Sequence, residues 1–152
     1  MDGGFTEFEL IDRLRSAAPG SARLHTGIGD DAAVTLPGGA TATSVDAVVD
    51  GVHFRREWCP PAAIAHKALA SALSDLAAMA AEPGEAYVTL GLPRDSSRGF
   101  SAALADGFIE AAARFGVVLA GGDTVSSPTL FAAVTVVAVS YTHLTLPTIL
   151  RV

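Results

Sequence analysis

Cys59 is the single cysteine among the 152 residues. That excludes an intramolecular disulfide and any zinc cage built from several thiolates. Long apolar runs are missing too. "AAVTVVAV" (132–139) is of strand length, and Lys67 and Asp75 interrupt the alanine-rich stretch 61–81, so neither supplies the roughly 18 uninterrupted apolar residues of a membrane span. The opening "MDGGFTEFEL" lacks the basic start of a signal peptide, and a cytoplasmic location is expected. Basic residues number ten, form no run and leave a net charge of −6, so no nucleic-acid surface is expected.

What is present is apolar and locally acidic. Half of the residues are hydrophobic and the mean hydropathy is +0.42, so surplus apolar surface is expected to meet a partner. The length suits one domain with a real core. Five aspartates (Asp30, Asp31, Asp46, Asp75 and Asp123) fall in the motifs below, and taking them out of the −6 leaves −1. The acidity is a local feature.

Helix signals open the chain. Thr6 with Glu9 forms a capping box and Phe5 with Leu10 a hydrophobic staple, predicting a helix to about residue 16. Short strands are expected at 32–36, 40–45 and 47–49, between Pro-Gly and Gly turns. Long helices are expected at 61–81 and 96–116, the second ended by Gly116. "EAYVTLGL" (85–92) alternates as a strand, and "VVLAGG" and "TLFAAVTVVAV" read as two buried strands. This order predicts an α/β (α+β) fold, a mixed sheet packed with two long helices.

The carboxylates sit in telling places. Asp30 and Asp31 follow a Gly-x-Gly turn, while Asp46 and Asp123 follow strand-like runs, the latter behind Gly121 and Gly122. Asp75 lies mid-helix, where aspartate is a poor residue. With Lys67, Ser71 and Ser74 it forms one narrow polar stripe. A solvent-facing stripe and a stripe turned toward a site both fit, and the surrounding alanines favour the second. Carboxylates beside glycines suit a hard cation joined to phosphate oxygens, because magnesium takes oxygen ligands and glycine lets the backbone come close. The stretch "GIGDDA" (27–32) matches G-x-G-x-x-A, yet "SARLHT" before it is polar and no helix follows before Pro37. A dinucleotide fingerprint requires a strand before and a helix after. No G-x-x-x-x-G-K-[ST] loop occurs.

Together, "GIGDDAAV" (27–34), "TSVDAVVDGVHF" (43–54), "KALASALSDLAAMAAEP" (67–83) and "GVVLAGGDTVSSP" (116–128) resemble thiamine-monophosphate kinase. They fall within the wider aminoimidazole ribonucleotide synthetase-like superfamily and cover residues 3–139. "DGVHF" points to the thiamine branch. The resemblance implies that superfamily's N-terminal ATP-binding domain and phosphorylation of thiamine monophosphate by ATP with magnesium. It implies metal ligands at Asp31, Ser44, Asp46, Asp75 and Asp123, with Asp30 a neighbour or further ligand. Gly122 with Asp123 resembles the ATP-contacting pair, and His53 the residue that meets the thiamine substrate. A homodimer that pairs two such sheets is also implied. The family transfers phosphate directly, and the sequence offers no Ser-His-Asp or Cys-His set.

Three departures stand out. Val45 replaces the usual Thr, leaving only a backbone carbonyl as ligand there. "TVSSP" lacks the arginine of the commoner "TTRSP". Residues 140–152 resemble nothing in the family, whose members continue into a second domain. A truncated or spuriously extended reading frame, with little activity of its own, is the expectation.

Overall fold

The computed structural model describes residues 7–17, 20–29, 31–36 and 38–140. Thr6, Phe5, Asp30 and residues 141–152 lie outside the described residues. Helix α1 (Glu7–Ala17) is followed by two short strands, β1 (Leu24–Thr26) and β2 (Val34–Thr35), paired antiparallel. Strand β3 (Thr43–Val49), helix α2 (Pro61–Ala78), β4 (Glu82–Leu92), α3 (Arg98–Phe115), β5 (Val118–Ser126) and β6 (Phe131–Ser140) complete the order.

The last four strands form one sheet in the order β3-β6-β4-β5. Its β4 and β5 run parallel, joined through α3, while β6 is antiparallel to both β3 and β4. The expected mixed sheet with two long helices is what the chain forms.

Spacing explains the helices. In α2 the buried residues are Ile64, Ala65, Ala68, Leu69, Ala72, Leu73 and Leu76, the i, i+3/i+4 stripe of a helix facing a core. Pro60 and Pro61 set its start, where a missing N–H costs nothing. In α3 the Ser97 hydroxyl accepts the Phe100 N–H at 3.1 Å, and Gly116 closes the helix in the left-handed region. Where the two helices cross, Gly107 is needed. A Cβ there would stand 2.7 Å from the Ala62 Cα.

Both helices cover one face of the sheet, above Val48, Ala86, Leu90, Ala132, Val134 and Val136. Paired strand residues share a face, so Val45, Ala47, Thr89, Ala133 and Thr135 form the other row. That row is only half covered, and Val45 is 66 % exposed. Helix α1 is tied to α3 by Arg13, whose guanidinium reaches both oxygens of Asp106 at 2.7 and 2.5 Å.

Several boundaries differ from expectation. The predicted strands 40–45 and 47–49 are one strand, β3, because Asp46 stays in register opposite Val134. Of 32–36 only Val34–Thr35 pairs. Strand β4 starts earlier than expected, at Glu82, and accommodates Pro83 through register irregularities against β6. Helix α2 stops at Ala78 and turns through Ala80, whose φ is 49°. Strand β1 falls within the stretch read as polar. The dinucleotide fingerprint still fails on its second half, since β2 follows the glycines instead of a helix.

Candidate functional site

The candidate residues fall into two groups on opposite edges of the sheet. On the β3 edge, Ser44 and Asp46 alternate onto the helix-facing row, opposite the buried Val136 and Val134. The alternation that buries Val48 places them there. Asp75, expected mid-helix, lies in the last turn of α2 because the helix ends at Ala78, and it is met by Ser44, whose hydroxyl donates to its Oδ2. Asp46 is half-buried, and its Oδ1 accepts the Ala47 N–H at 2.7 Å. The polar stripe of α2 is therefore solvent-accessible and also borders the candidate site. Lys67, Ser74 and Asp75 are exposed, and Ser74 donates to the Ser71 carbonyl at 2.6 Å.

On the β5 edge, Asp123 is exposed and its Oδ1 accepts the Thr124 N–H at 2.8 Å. Asp46 and Asp123 were both expected at strand ends. Each instead lies inside its strand, because strand pairing continues past it. Beside Asp123, Gly122 lets β5 approach β4. A Cβ at Gly122 would lie 2.0 Å from the Val88 carbonyl oxygen. A cleft of about 670 Å³ runs between α1 and this edge, lined by Arg15, Gly29, Asp31, Tyr87, Gly121 and Gly122 among others. A smaller apolar cavity of about 110 Å³ adjoins it under Ile11, Leu14, Phe108 and Leu119 and ends at Gly122–Thr124. Asp31, Gly122 and Asp123 thus border this edge together.

Strands stand about 4.8 Å apart, so three intervals put the two groups roughly 14 Å from each other across the sheet, and Asp123, paired with Thr89, belongs to the open-face row while Ser44 and Asp46 belong to the helix-facing one. Among the described residues, no group of three or more His, Cys, Asp or Glu side chains is gathered as a metal cage. Val45 points to the opposite face from Ser44 and Asp46, beside Thr135. His53 lies away from both groups, in the turn after β3, and the Val49 N–H donates to its Nδ1 at 3.0 Å. Asp30 lies outside the described residues.

Sequence reasoning missed Arg15 and Tyr87, which line the larger cleft. Burial pushes the Tyr87 phenol up, with the Glu85 charge adding to it. Its alternating position in "EAYVTLGL" was the available signal. Glu85 was missed as well. It is 1 % exposed and paired with Arg23 at 3.1 Å.

The donor set is one of hard oxygens. Ser44, Asp46 and Asp75 share one side of the sheet, and magnesium uses only one or two carboxylates when water and phosphate supply the rest. The residues present therefore fit that ion.

A mixed four-stranded sheet with two long helices on one face and carboxylates on both edge strands defines an α/β domain. The chain belongs to the family described as AIR synthase related protein, N-terminal domain, whose model matches residues 29–140. It is 39 % identical over 121 residues to thiamine-monophosphate kinase of Mycobacterium tuberculosis, covering 79 % of this chain and 36 % of that protein. Thiamine-monophosphate kinase from Stenotrophomonas maltophilia K279a superposes with a TM-score of 0.74 at 38 % identity, over 88 % of this chain and 42 % of the other. AaThiL complexed with AMPPCP and TMP shares the fold, with a TM-score of 0.61 at 22 % identity over 87 % of this chain and 41 % of the other. The chain thus spans well under half the length of these relatives.

Proposed function

We propose that this chain is the magnesium- and ATP-binding N-terminal half of a kinase that phosphorylates thiamine monophosphate to thiamine diphosphate. The observation that carries this reading is the placing of oxygen donors on both edges of one sheet. Ser44, Asp46 and Asp75 stand on one edge, and Gly122 with Asp123 and the neighbouring Asp31 on the other. A span of roughly 14 Å, with Asp123 in the row opposite to that of Ser44 and Asp46, is far too wide for one ion, so the two groups would hold separate ions.

In this reaction an oxygen of the acceptor phosphate attacks the γ-phosphorus of ATP. The bond to the β,γ-bridging oxygen breaks, and ADP leaves. Positioning and charge neutralisation carry such a transfer, and no side-chain nucleophile is required. Magnesium, when bound, offsets negative charge on the phosphoryl oxygens. Asp46, Asp75 and Ser44 would hold it on the β3 edge, and Asp31 and Asp123 on the β5 edge. The close approach of β5 to β4 at Gly122 offers backbone to the nucleotide phosphates. His53 is the contact to the acceptor.

The half-covered sheet face, with Val45 66 % and Val125 40 % exposed, supports a homodimer that pairs two such faces. No helix among the described residues is long and apolar enough to cross a membrane, in keeping with a cytoplasmic enzyme. A non-catalytic Mg-nucleotide-binding dimerisation domain is the second reading, favoured by the same exposed valines. Another ATP-dependent activity of the superfamily is the alternative substrate assignment.

Titration calorimetry with Mg-ATP, alongside an assay for thiamine diphosphate, tests both readings. Weak magnesium-dependent binding with little turnover is expected from residues 1–152, and turnover once a homologous second half replaces residues 140–152. Absence of Mg-ATP binding would refute the proposal.

A further inference from the structure

We infer that Arg56 is a positioning residue for His53, strapping the loop after β3 so that the imidazole is held as its neutral Nε2–H tautomer. The inference rests on His53 being the acceptor contact proposed above, but its geometry stands apart from that role. A backbone amide can only donate, and the Val49 N–H points at His53 Nδ1 from 3.0 Å. Nδ1 is therefore the unprotonated nitrogen, and the ring proton sits on Nε2. His53 is exposed, so this proton is offered outward as a hydrogen-bond donor. Such a ring selects an acceptor atom on its ligand.

The loop is built to keep that arrangement. The Val49 carbonyl accepts the N–H groups of Val52 at 3.2 Å and His53 at 2.8 Å. Gly51, at a φ of 80°, turns its N–H to the Phe54 carbonyl at 2.8 Å, and Phe54 is buried in the core. Only a residue tolerant of the left-handed region closes this turn. Directly after it, the Arg56 N–H donates to Asp50 Oδ1 at 3.0 Å. The Arg56 guanidinium stands 3.8 Å from Asp50 Oδ2 and reaches both oxygens of Asp95, at 3.4 and 3.0 Å. Asp50 follows the end of β3, and Asp95 lies in the turn between β4 and α3. One side chain therefore links two separate loops at the same end of the sheet.

A lone surface ion pair contributes little. A forked contact shared between two loops limits where both can go, and guanidinium geometry is what makes the fork. Lysine can reach one of these carboxylates but cannot reproduce the pattern.

Long-range ¹H–¹⁵N correlation of the histidine rings in the 152-residue chain reads the tautomer directly, with His53 assigned by its loss in H53N. Native protein is expected to show the Nε2–H form. Arg56→Ala should mix the two tautomers and speed exchange of the Val49 amide about fivefold, the equivalent of one net hydrogen bond. Arg56→Lys should restore part of the native signature. Asp95→Asn, altered on the far loop, should shift both readouts in the same direction and carries the test if Arg56→Ala fails to fold. A native ring protonated at Nδ1, or unchanged tautomer and exchange in folded Arg56→Ala or Asp95→Asn, would overturn the inference. Adding thiamine monophosphate separates the two claims. An unmoved His53 signal with the strap results intact would sink the acceptor role and leave the positioning role standing.

Discussion

Replacing Gly122 with alanine and, separately, Gly121 with alanine makes the same chemical change at adjacent positions of β5. The outcomes should differ. An added Cβ at Gly122 meets the Val88 oxygen at 2.0 Å, its carbonyl carbon at 2.8 Å and its nitrogen at 3.0 Å. All three are backbone atoms of the paired strand, so no side chain can swing away. Contacts under 3.0 Å are essentially never seen, so β5 has to retreat from β4 by about 1 Å or twist. At Gly121 the nearest atom is Tyr87 Cδ1 at 3.3 Å, on a ring that can give. Overpacking of this kind costs about 1–3 kcal/mol. For a chain of this size that lowers Tm by about 2–12 °C in Gly122→Ala. Gly121→Ala should stay within about 2 °C of the native protein. Because Asp123 follows directly, Gly122→Ala should also weaken Mg-ATP binding more than its neighbour does. Differential scanning calorimetry and ATP titration on the pair decide it. Equal melting temperatures would refute the close-approach argument.

Other outcomes can be checked on the same chain. Arg23→Ala removes the ion-pair partner of the buried Glu85 and should cost about 3–5 kcal/mol, read as a lower urea midpoint, with Glu85→Gln in the Arg23→Ala background recovering part of it. Asp46→Asn and Asp75→Asn should each weaken Mg-ATP binding by calorimetry while leaving circular dichroism unchanged, and unchanged affinity would remove them from the site. Arg13, through its hydrogen bond and charge, holds the Asp106 carboxyl below its ordinary 3.8. A lowered folded-state pKa contributes stability above the ordinary value and loses it as pH falls through the folded one. Asp106→Asn should therefore melt lower than native protein at pH 7, with the gap closing as the pH falls below the ordinary 3.8 and through the lowered folded-state value. A gap that persists there would assign the effect to packing.

The two long helices were legible because their signals are local. Prolines precede α2, Ser97 and Gly116 bracket α3, and the apolar spacing is continuous between them. Strand limits were less so. Asp46 reads as a terminator when propensity alone is weighed, yet register with β6 carries it through, and that register is set by residues 131–137. The pairing of Ser44 with Asp75 joins positions 31 residues apart and has no local trace. Spacing showed which residues are acidic and beside glycine. It could not show that they divide between two sheet edges, since strand order places β6 and β4 between β3 and β5. The Glu85–Arg23 pair was invisible for the same reason, because a glutamate in an alternating strand normally faces water.

The position of β6 in the sheet has a consequence for synthesis. Ala132 is the pairing partner of both Val48 and Leu90, so one late strand is the seam between two earlier ones. After β3 emerges from the ribosome it waits roughly 80 residues for that partner, on the order of 4–16 s at usual elongation rates. Helices α2 and α3 can form and meet during the wait, because their signals and contacts are local. Strands β3 and β4 meanwhile expose unpaired edges, the kind of surface that recruits other chains. A nascent chain stalled before residue 131 would hold a helical pair, a β4–β5 pair open on its β4 edge and a lone β3, and there a holdase would find its opening.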